Sequence, residues 1–253
     1  MLSRPFAGAN GRGTEQLTSL LAGQRRWVTG LERSASDGKL GLDMVVACLL
    51  IFVAAYLLGS IPVGYLLVRL FRHEDIRAAG SGNIGATNVL RAGGKGLGAA
   101  TFALDALKGC SAVWLGGFMG ALLAPNAAHR NMQALAALAA VLGHIFPVWL
   151  RFKGGKGVAT GFGVFLAAVP WAALAAIGVF ILVLLLTRFV SLASILGAAS
   201  FPFLAYILVT GPRPPFFIAV QFAVPLLIIA KHHQNIRRLW AGTESRFGKK
   251  KTA

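Results

Sequence analysis

The chain has 253 residues, of which 56% are hydrophobic and only 13% are charged, and its mean hydropathy is +0.69. A soluble domain carries about 25% charged residues, so this composition excludes an ordinary water-soluble enzyme. The 25 Lys and Arg residues against 8 Asp and Glu give a net charge of +17. That excess favours anionic lipid or a phosphorylated substrate over nucleic acid, because a nucleic-acid binder does not need apolar runs of bilayer length.

The apolar runs predict an all-α, polytopic membrane protein with about seven transmembrane helices. About 20 mostly apolar residues are needed to cross the hydrocarbon core as a helix. The candidate spans are residues 44–68, 97–123, 132–150, 157–170, 171–187, 191–211 and 215–230. Only Pro170 and Trp171 mark the boundary between the fourth and fifth spans, and joining those two would give six.

Basic residues predict the orientation, because Lys and Arg collect in short cytoplasmic loops. They are concentrated after the first, third, fifth and seventh spans, whereas the opposite connections hold only Arg130 and Arg213. The basic loops and the C-terminus are therefore expected in the cytoplasm, and seven spans would place the N-terminus outside.

The two ends of the chain are predicted to lie outside a membrane domain of residues 44–247. Residues 1–43 are polar, and they contain no apolar run long enough for a signal peptide. We interpret them as a disordered extension or as a mis-assigned start, with the native protein beginning at or near Met44. Residues 248–253 form a short basic tail.

The first of three polar stretches on the predicted cytoplasmic side is the glycine-rich segment 80–91. Backbone N–H groups, hydroxyls, amides and an arginine are groups that bind phosphate. The candidate binding residues are Gly80, Ser81, Gly82, Asn83, Thr87, Asn88 and Arg91. The GxGxxG spacing does not indicate a dinucleotide site, since no βαβ unit surrounds it. The alternative is a tight loop whose glycines only satisfy turn geometry.

The second stretch is Lys-Gly-Gly-Lys-Gly, which lacks the spacing of a P-loop and does not imply nucleotide hydrolysis. Two lysines on a glycine-rich backbone suit phosphate binding. The candidates are Lys153, Gly154, Gly155, Lys156 and Gly157. The alternative is a positive-inside topology signal. For nearby His144, a structural hydrogen bond and a chemical role both stay open.

The third stretch follows the last span. If that span continues as a helix, His232 and Asn235 share one face and His233 points elsewhere. These residues suit proton transfer or anion binding, and the alternative is a basic helix end on anionic lipid. Within the spans, Asp105 and Lys108 are expected to neutralise each other, because unpaired charges at that depth are costly.

The motifs YLLGSIPVGY (56–65), 80–91, LDALKG (104–109), 143–160 and 232–247 together resemble the bacterial acyl-phosphate:glycerol-3-phosphate acyltransferase (PlsY) family. The resemblance runs from about residue 44 to 247. It implies a seven-helix enzyme of the bacterial cytoplasmic (inner) membrane with its active site facing the cytoplasm. Such an enzyme transfers a fatty acyl group from acyl phosphate to the sn-1 hydroxyl of glycerol 3-phosphate, giving lysophosphatidic acid for phospholipid biosynthesis.

The resemblance also implies roles for individual residues. Ser81 and Arg91 would be the essential residues of the first motif, and residues 153–157 would form a phosphate-binding loop with Lys156 as its direct contact. Ser194, His232 and Asn235 would line the same pocket, and the catalytic set would be Ser81, Arg91, Lys156, His232 and Asn235. Many relatives have Arg at the position of His233. The partners implied are the two substrates and membrane lipid, without nucleic acid, and the oligomeric state stays open.

Acyl transfer from a mixed anhydride needs positioning and charge stabilisation rather than a covalent intermediate. No metal or organic cofactor is required by these motifs. Glu244 lies beyond the helical turn that holds His232, so the acyl-phosphate dianion is expected to take the glycerol proton. The alternative function is a membrane carrier of small organic phosphates, although carriers commonly show internal repeats that this chain lacks.

Overall fold

The computed structural model describes residues 41–248, and every regular element in that range is a helix. The α-helices are α1 (residues 41–60), α2 (Val63–Arg72), α3 (Ala86–Ala92), α4 (Lys95–Leu123), α5 (His129–Ile145), α6 (Val158–Ala168), α7 (Pro170–Thr187), α8 (Val190–Leu208), α9 (Pro215–Ala230) and α10 (His233–Trp240). Short 3-10 turns lie at Ile76–Ala78 and Val148–Leu150. The predicted all-α class is confirmed.

Of the described residues, 47–248 belong to one compact unit. The predicted extension over residues 1–43 and the predicted basic tail over 248–253 fall almost entirely outside the described residues. Residues 41–43 are already helical. The first predicted span, which was placed from residue 44, therefore begins earlier in the structure.

Five helical segments are long and apolar enough to cross a membrane, and the polytopic prediction is confirmed. They are Gly41–Arg72, Lys95–Leu123, His129–Leu150, Pro170–Thr187 and Val190–Leu208. Helices α9 and α10, bent by 54° at their junction, raise the count to six if they form one span. Within residues 41–248 the predicted count of seven is not reached, because the span predicted at 157–170 is the 11-residue helix α6. At 1.5 Å per residue α6 is about 16 Å long, roughly half the hydrocarbon thickness.

Prolines lie at two of the breaks between consecutive helices. Pro62 separates α1 from α2, and Pro170 is the first residue of α7. Proline suits a first helical position, since its missing N–H would have no helical partner there. The boundary predicted at Pro170 therefore exists, but the helix before it is too short to be a full span.

Close packing of α4 against α6 places the start of α6 beside the polar centre of α4. A Cβ on Gly109 would crowd the Thr160 carbonyl, and a Cβ on Gly163 would overlap the carbonyl of Ala106. Small residues let membrane helices approach until their backbones touch. Residues 153–157, the loop that carries Lys156 and leads into α6, are thereby held against the part of α4 that carries Asp105.

Candidate active site

Residues from all three polar stretches line a single cleft. It encloses about 840 Å³ of empty space, part of which is open to solvent. Ten of the residues predicted for the site line it, and they are Ser81, Asn83, Thr87, Asn88, Arg91, Lys156, Gly157, Ser194, His232 and Asn235. Motifs far apart in the sequence thus meet at the N-terminal ends of α3, α6 and α8 and beside α10.

The first glycine-rich loop is held together by the side chain of Asn88, which is only 3% exposed. Its Nδ2 donates hydrogen bonds to the carbonyl oxygens of Ile76, Ala79 and Asn83 at 3.3, 3.0 and 2.8 Å. Its Oδ1 accepts a 2.8 Å hydrogen bond from the backbone N–H of Ser81. Asn88 therefore shapes the loop, and the exposed Ser81 is free to present its hydroxyl to the cleft.

Five predicted residues do not line the cleft, and they are Gly80, Gly82, Lys153, Gly154 and Gly155. Gly80 and Gly82 adopt φ values of +60° and +69°, so they serve the turn that brings Ser81 to the cleft. Lys153 is exposed elsewhere on the surface.

The second glycine-rich loop is tied to the end of α5 by its own backbone. The N–H of Gly154 donates to the carbonyl of Ile145 at 3.2 Å, and the N–H of Gly155 donates to the carbonyl of His144 at 3.1 Å. These two N–H groups already have partners and are not available to a phosphate. Of this loop, only Lys156 and Gly157 line the cleft.

A hydrogen-bond network joins the second motif to the third. Lys156 Nζ donates to Asn235 Oδ1 at 2.6 Å, and Asn235 Nδ2 donates to Glu244 Oε1 at 2.7 Å. Glu244 Oε1 also accepts from Ser191 Oγ at 2.7 Å, and Glu244 Oε2 accepts from Arg238 Nε at 2.6 Å. Both carboxylate oxygens of Glu244 are therefore engaged in holding the cleft together.

Burial changes the ionisation of the groups in this network. The pKa of Lys156 falls from its ordinary 10.5 to about 8, chiefly because burial disfavours the charged ammonium. Glu244 opposes this fall in pKa, while Arg238 and Arg91 add to it. Burial by itself raises the pKa of Glu244, but hydrogen bonds from Asn235, Ser191 and Arg238 outweigh burial and keep that pKa below its ordinary value.

His232 is held in one orientation at the junction between α9 and α10. It is 2% exposed, and its Nδ1 lies 2.7 Å from the carbonyl oxygen of Ile228. A carbonyl can only accept, so Nδ1 carries the proton, and in the neutral ring Nε2 is left as an acceptor. The helical path is interrupted at Lys231 and His232, and His232 is the N-cap of the helix that carries Asn235. Both His232 and Asn235 line the cleft. His233 is exposed and does not line it.

Glu244, Arg238 and Asp105 also line the cleft, although none of them is predicted for the site from the sequence. Glu244 lies beyond the helical turn that holds His232, as the sequence indicates. It nevertheless reaches the cleft, because the segment after α10 folds back, and Arg91 Nη2 donates to the carbonyl of Ser245 at 3.3 Å. The one available signal was a single carboxylate within the basic segment 231–246.

The predicted pairing of Asp105 with Lys108 is confirmed. Asp105 Oδ1 lies 2.7 Å from Lys108 Nζ, and their side chains are 3% and 5% exposed. His144 Nδ1 lies 3.5 Å from the same carboxylate oxygen. His144, for which the sequence leaves a structural and a chemical role open, therefore lies beside this ion pair and at the cleft.

An apolar cavity adjoins the polar cleft. It encloses about 480 Å³ of empty space among α6, α7, α8 and α9, and it shares Val158, Phe180 and Ser194 with the cleft. About two helical turns further along α6 and α8 lie Phe165 and Phe201, whose rings stack with centroids 3.8 Å apart. A ligand with an anionic head and an apolar tail would fit both spaces at once.

The fold and the cleft define a polytopic membrane protein with a cationic site beside an apolar cavity. A model of the family described as glycerol-3-phosphate acyltransferase matches residues 49–242. The glycerol-3-phosphate acyltransferase of Syntrophotalea carbinolica is 46% identical over 198 residues, which cover 78% of this chain and 96% of that protein. That of Trichlorobacter lovleyi is 48% identical over 194 residues, which cover 76% and 94%.

A solved structure agrees with these sequence matches. It is described as a crystal structure of PlsY (YgiH), an integral membrane glycerol 3-phosphate acyltransferase, in its glycerol 3-phosphate form. It matches with a TM-score of 0.71 and 39% identity, covering 79% of this chain and 96% of that one. A second structure is described as the lysophosphatidic acid form, with a TM-score of 0.69 and 38% identity. This chain belongs to the glycerol-3-phosphate acyltransferase family and is a membrane acyltransferase.

Proposed function

We propose that this chain transfers a fatty acyl group from acyl phosphate to the sn-1 hydroxyl of glycerol 3-phosphate, giving lysophosphatidic acid. One observation carries the proposal: the cleft that holds Arg91 and Lys156 adjoins an apolar cavity, and Ser194 lines both. An acyl phosphate has the anionic head and the apolar chain that these two spaces require. The glycerol 3-phosphate and lysophosphatidic acid forms of the solved relatives support the acceptor and the product.

The reaction needs two anions to meet, and the cations of the cleft serve that purpose. Arg91 and Lys156 bind the phosphate groups through charge-assisted hydrogen bonds, while Ser81 orients the reacting groups. His232 and Asn235 hold the glycerol phosphate. The glycerol oxygen attacks the acyl carbon, the bond from that carbon to the phosphate oxygen breaks, and the cations stabilise the charge that develops.

The proton of the glycerol hydroxyl passes to the phosphate group of the acyl phosphate, and that group leaves as hydrogen phosphate. The two oxygens of Glu244 accept hydrogen bonds from three side chains, and this supports a structural role for that carboxylate. His232 Nε2 is the competing acceptor. If His232→Gln removes the pH dependence of kcat while substrate affinity is preserved, His232 is the base and the proton transfer to the acyl phosphate is wrong.

We also propose that the cleft faces the cytoplasm from a bacterial inner membrane. The alternation of basic connections along the sequence supports this orientation. A cysteine placed at exposed Lys95, with Cys48 and Cys110 replaced by Ala, would be blocked by a membrane-impermeant maleimide in inverted vesicles. Blocking in right-side-out vesicles alone would reverse the orientation.

The central test is an acyl-transfer assay in lipid nanodiscs with labelled glycerol 3-phosphate and either palmitoyl phosphate or palmitoyl-CoA. Lysophosphatidic acid should form from the acyl phosphate alone and be lost in Ser81→Ala and Lys156→Ala. Lys95→Ala is the matched control, because Lys95 is exposed and does not line the cleft. Lysophosphatidic acid formed from palmitoyl-CoA would refute the assignment of acyl phosphate as the donor. If neither donor gives product and the protein takes up glycerol 3-phosphate into sealed vesicles, the alternative function, a phosphate carrier, is favoured.

A further inference from the structure

Three ionisable residues form a buried cluster at one wall of the cleft. Asp105, Lys108 and His144 are 2%, 6% and 4% exposed. Lys108 Nζ lies 2.7 Å from Asp105 Oδ1 and also donates to the carbonyl of Ile61 at 2.9 Å, where α1 gives way to α2. The cluster therefore links α4 and α5 to the break in the first membrane segment.

His144 connects this cluster to the loop that carries Lys156. Its ring nitrogen Nδ1 faces Asp105 at 3.5 Å, and its carbonyl accepts from the Gly155 N–H at 3.1 Å. The imidazole covers Gly155 so closely that a Cβ there would overlap Nε2. Lys156 follows directly, and its Nζ reaches Asn235 at 2.6 Å.

The stability of the protein does not account for such a cluster. Buried ion pairs contribute little net stability, because desolvation offsets the attraction between the charges, and apolar replacements are often neutral. Charged residues in membrane segments are costly and commonly mark functional positions. Asp105 and His144 also line the cleft.

We propose that Asp105 and His144 are positioning residues that hold the ammonium group of Lys156 at its place in the cleft. Asp105, fixed by Lys108, orients the imidazole of His144, and the ring and carbonyl of His144 fix Gly155 and hence Lys156. The proposal rests on the proposed function only in that Lys156 binds substrate phosphate. The position of Lys156 can be measured without any turnover.

The test measures how fast each lysine is acetylated by a water-soluble N-hydroxysuccinimide ester between pH 7 and 10.5. The protein is kept in nanodiscs, and peptides are quantified by mass spectrometry. Only an uncharged amine reacts, so the labelling midpoint of Lys156 reports its pKa, which is about 8. Its charged neighbours Glu244, Arg238 and Arg91 are unchanged in every variant, and labelling of exposed Lys95 is the internal reference.

In Asp105→Asn and in His144→Gln, the midpoint of Lys156 should rise by at least one pH unit, because the released loop lets the ammonium group reach water. Thr101→Val is the matched control. Thr101 is fully buried one turn before Asp105 on α4, and its hydroxyl only donates to the carbonyl of Leu97. This control should leave the midpoint unchanged.

An unchanged Lys156 midpoint in both variants overturns the proposal. If Asp105→Asn does not fold, Asp105→Asn combined with Lys108→Met removes both charges, and the same upward shift is expected. The kinetic readout separates this inference from the proposed function. If the variants shift the midpoint but the wild type shows no acyl transfer, the positioning role is upheld and the proposed function is refuted. If the wild type is active but the variants show no shift, the positioning role alone is refuted.

Discussion

The two glycine-rich loops of the cleft have similar compositions but are built in different ways. Residues 80–85 form a turn around the side chain of Asn88, and Gly80 and Gly82 supply left-handed backbone conformations. Residues 153–157 are instead fastened to the carbonyls that end α5. At Gly82 in the first loop glycine serves backbone conformation, whereas at Gly155 in the second it serves close approach to His144.

This difference shows that glycine-rich composition does not by itself make a phosphate cradle of backbone N–H groups. In the second loop, two of the N–H groups expected to bind phosphate are already bonded within the protein. Binding must then depend on side chains, chiefly Lys156 and Arg91. The two loops should therefore respond differently to substitution of their side chains and of their glycines.

The largest effect is expected from Lys156→Ala. Loss of a charge-assisted hydrogen bond to phosphate costs about 3 kcal/mol, which corresponds to about a hundredfold in kcat/KM. Steady-state kinetics in nanodiscs should show this loss, with Lys95→Ala unchanged. A loss below threefold would mean that backbone groups of the loop, rather than Lys156, bind the phosphate.

Asn88→Ala should mainly destabilise the first loop. It removes three donated hydrogen bonds and one accepted bond, for a loss of about 2–3 kcal/mol after relaxation. A lower thermal unfolding temperature should accompany weaker activity. Asn88→Asp keeps the shape of the side chain but places a carboxylate oxygen against three carbonyl oxygens. It should therefore lower the stability at least as much as Asn88→Ala. Wild-type stability in Asn88→Asp would contradict this account of the loop.

Glycine substitutions compare the loops directly. Gly155→Ala should cost about 2–3 kcal/mol by overpacking against His144. Gly82→Ala should cost about 1 kcal/mol, the penalty of a left-handed conformation, because its Cβ would meet only the Arg77 carbonyl at 3.2 Å. Gly155→Ala should therefore lower the unfolding temperature and kcat/KM more than Gly82→Ala does. A larger loss in Gly82→Ala would refute the contrast between the loops.

The pH dependence should reveal the charge on Lys156. Its pKa of about 8 lies below the ordinary 10.5, so raising the pH through 8 removes the charge that binds phosphate. In the free enzyme kcat/KM should then fall about tenfold per pH unit above 8. Lys156→Arg retains its charge and should lose this alkaline decline. A decline that persists in Lys156→Arg would belong to another group.

The smallest effect is expected for Asp75→Asn, at the entrance to the first loop. The side-chain hydrogen bond from Arg77 lowers the pKa of Asp75 from 3.8 to about 2. The pair therefore stabilises the folded state above pH 3.8, and this contribution disappears as the pH falls through about 2. The pair is partly exposed, so at pH 7 the change should alter kcat/KM less than twofold. A larger change in kcat/KM would mean that the Asp75–Arg77 pair takes a direct part in substrate binding.

The sequence was sufficient to predict the all-α membrane class, the three motifs that meet at the cleft and the pairing of Asp105 with Lys108. Each of these predictions depends on local composition, on spacing within one helix or on a resemblance across the whole chain. Hydropathy did not reveal that α6 is too short to span, because a single residue, Val169, separates it from the equally apolar α7.

The return of Glu244 to the cleft was not predictable from spacing. It depends on contacts with Ser191, Arg238 and Asn235, two of which lie on α10 and one on α8. Likewise, the sequence showed glycines at 154 and 155 but not that their N–H groups bond to the end of α5. Such partners are set by tertiary packing, which leaves no periodic pattern in the chain.

The short helix α6 also determines what kind of backbone carries Lys156. It has 11 residues against 18 in α7, so at the same rise per residue it is about 10 Å shorter. Lys156, which precedes α6, and Val190, which begins α8, nevertheless line the same cleft. Lys156 therefore stands on loop backbone rather than inside a full-length helix. Its place is set by tertiary hydrogen bonds, such as those from Gly154 and Gly155 to the end of α5, and not by a helical repeat.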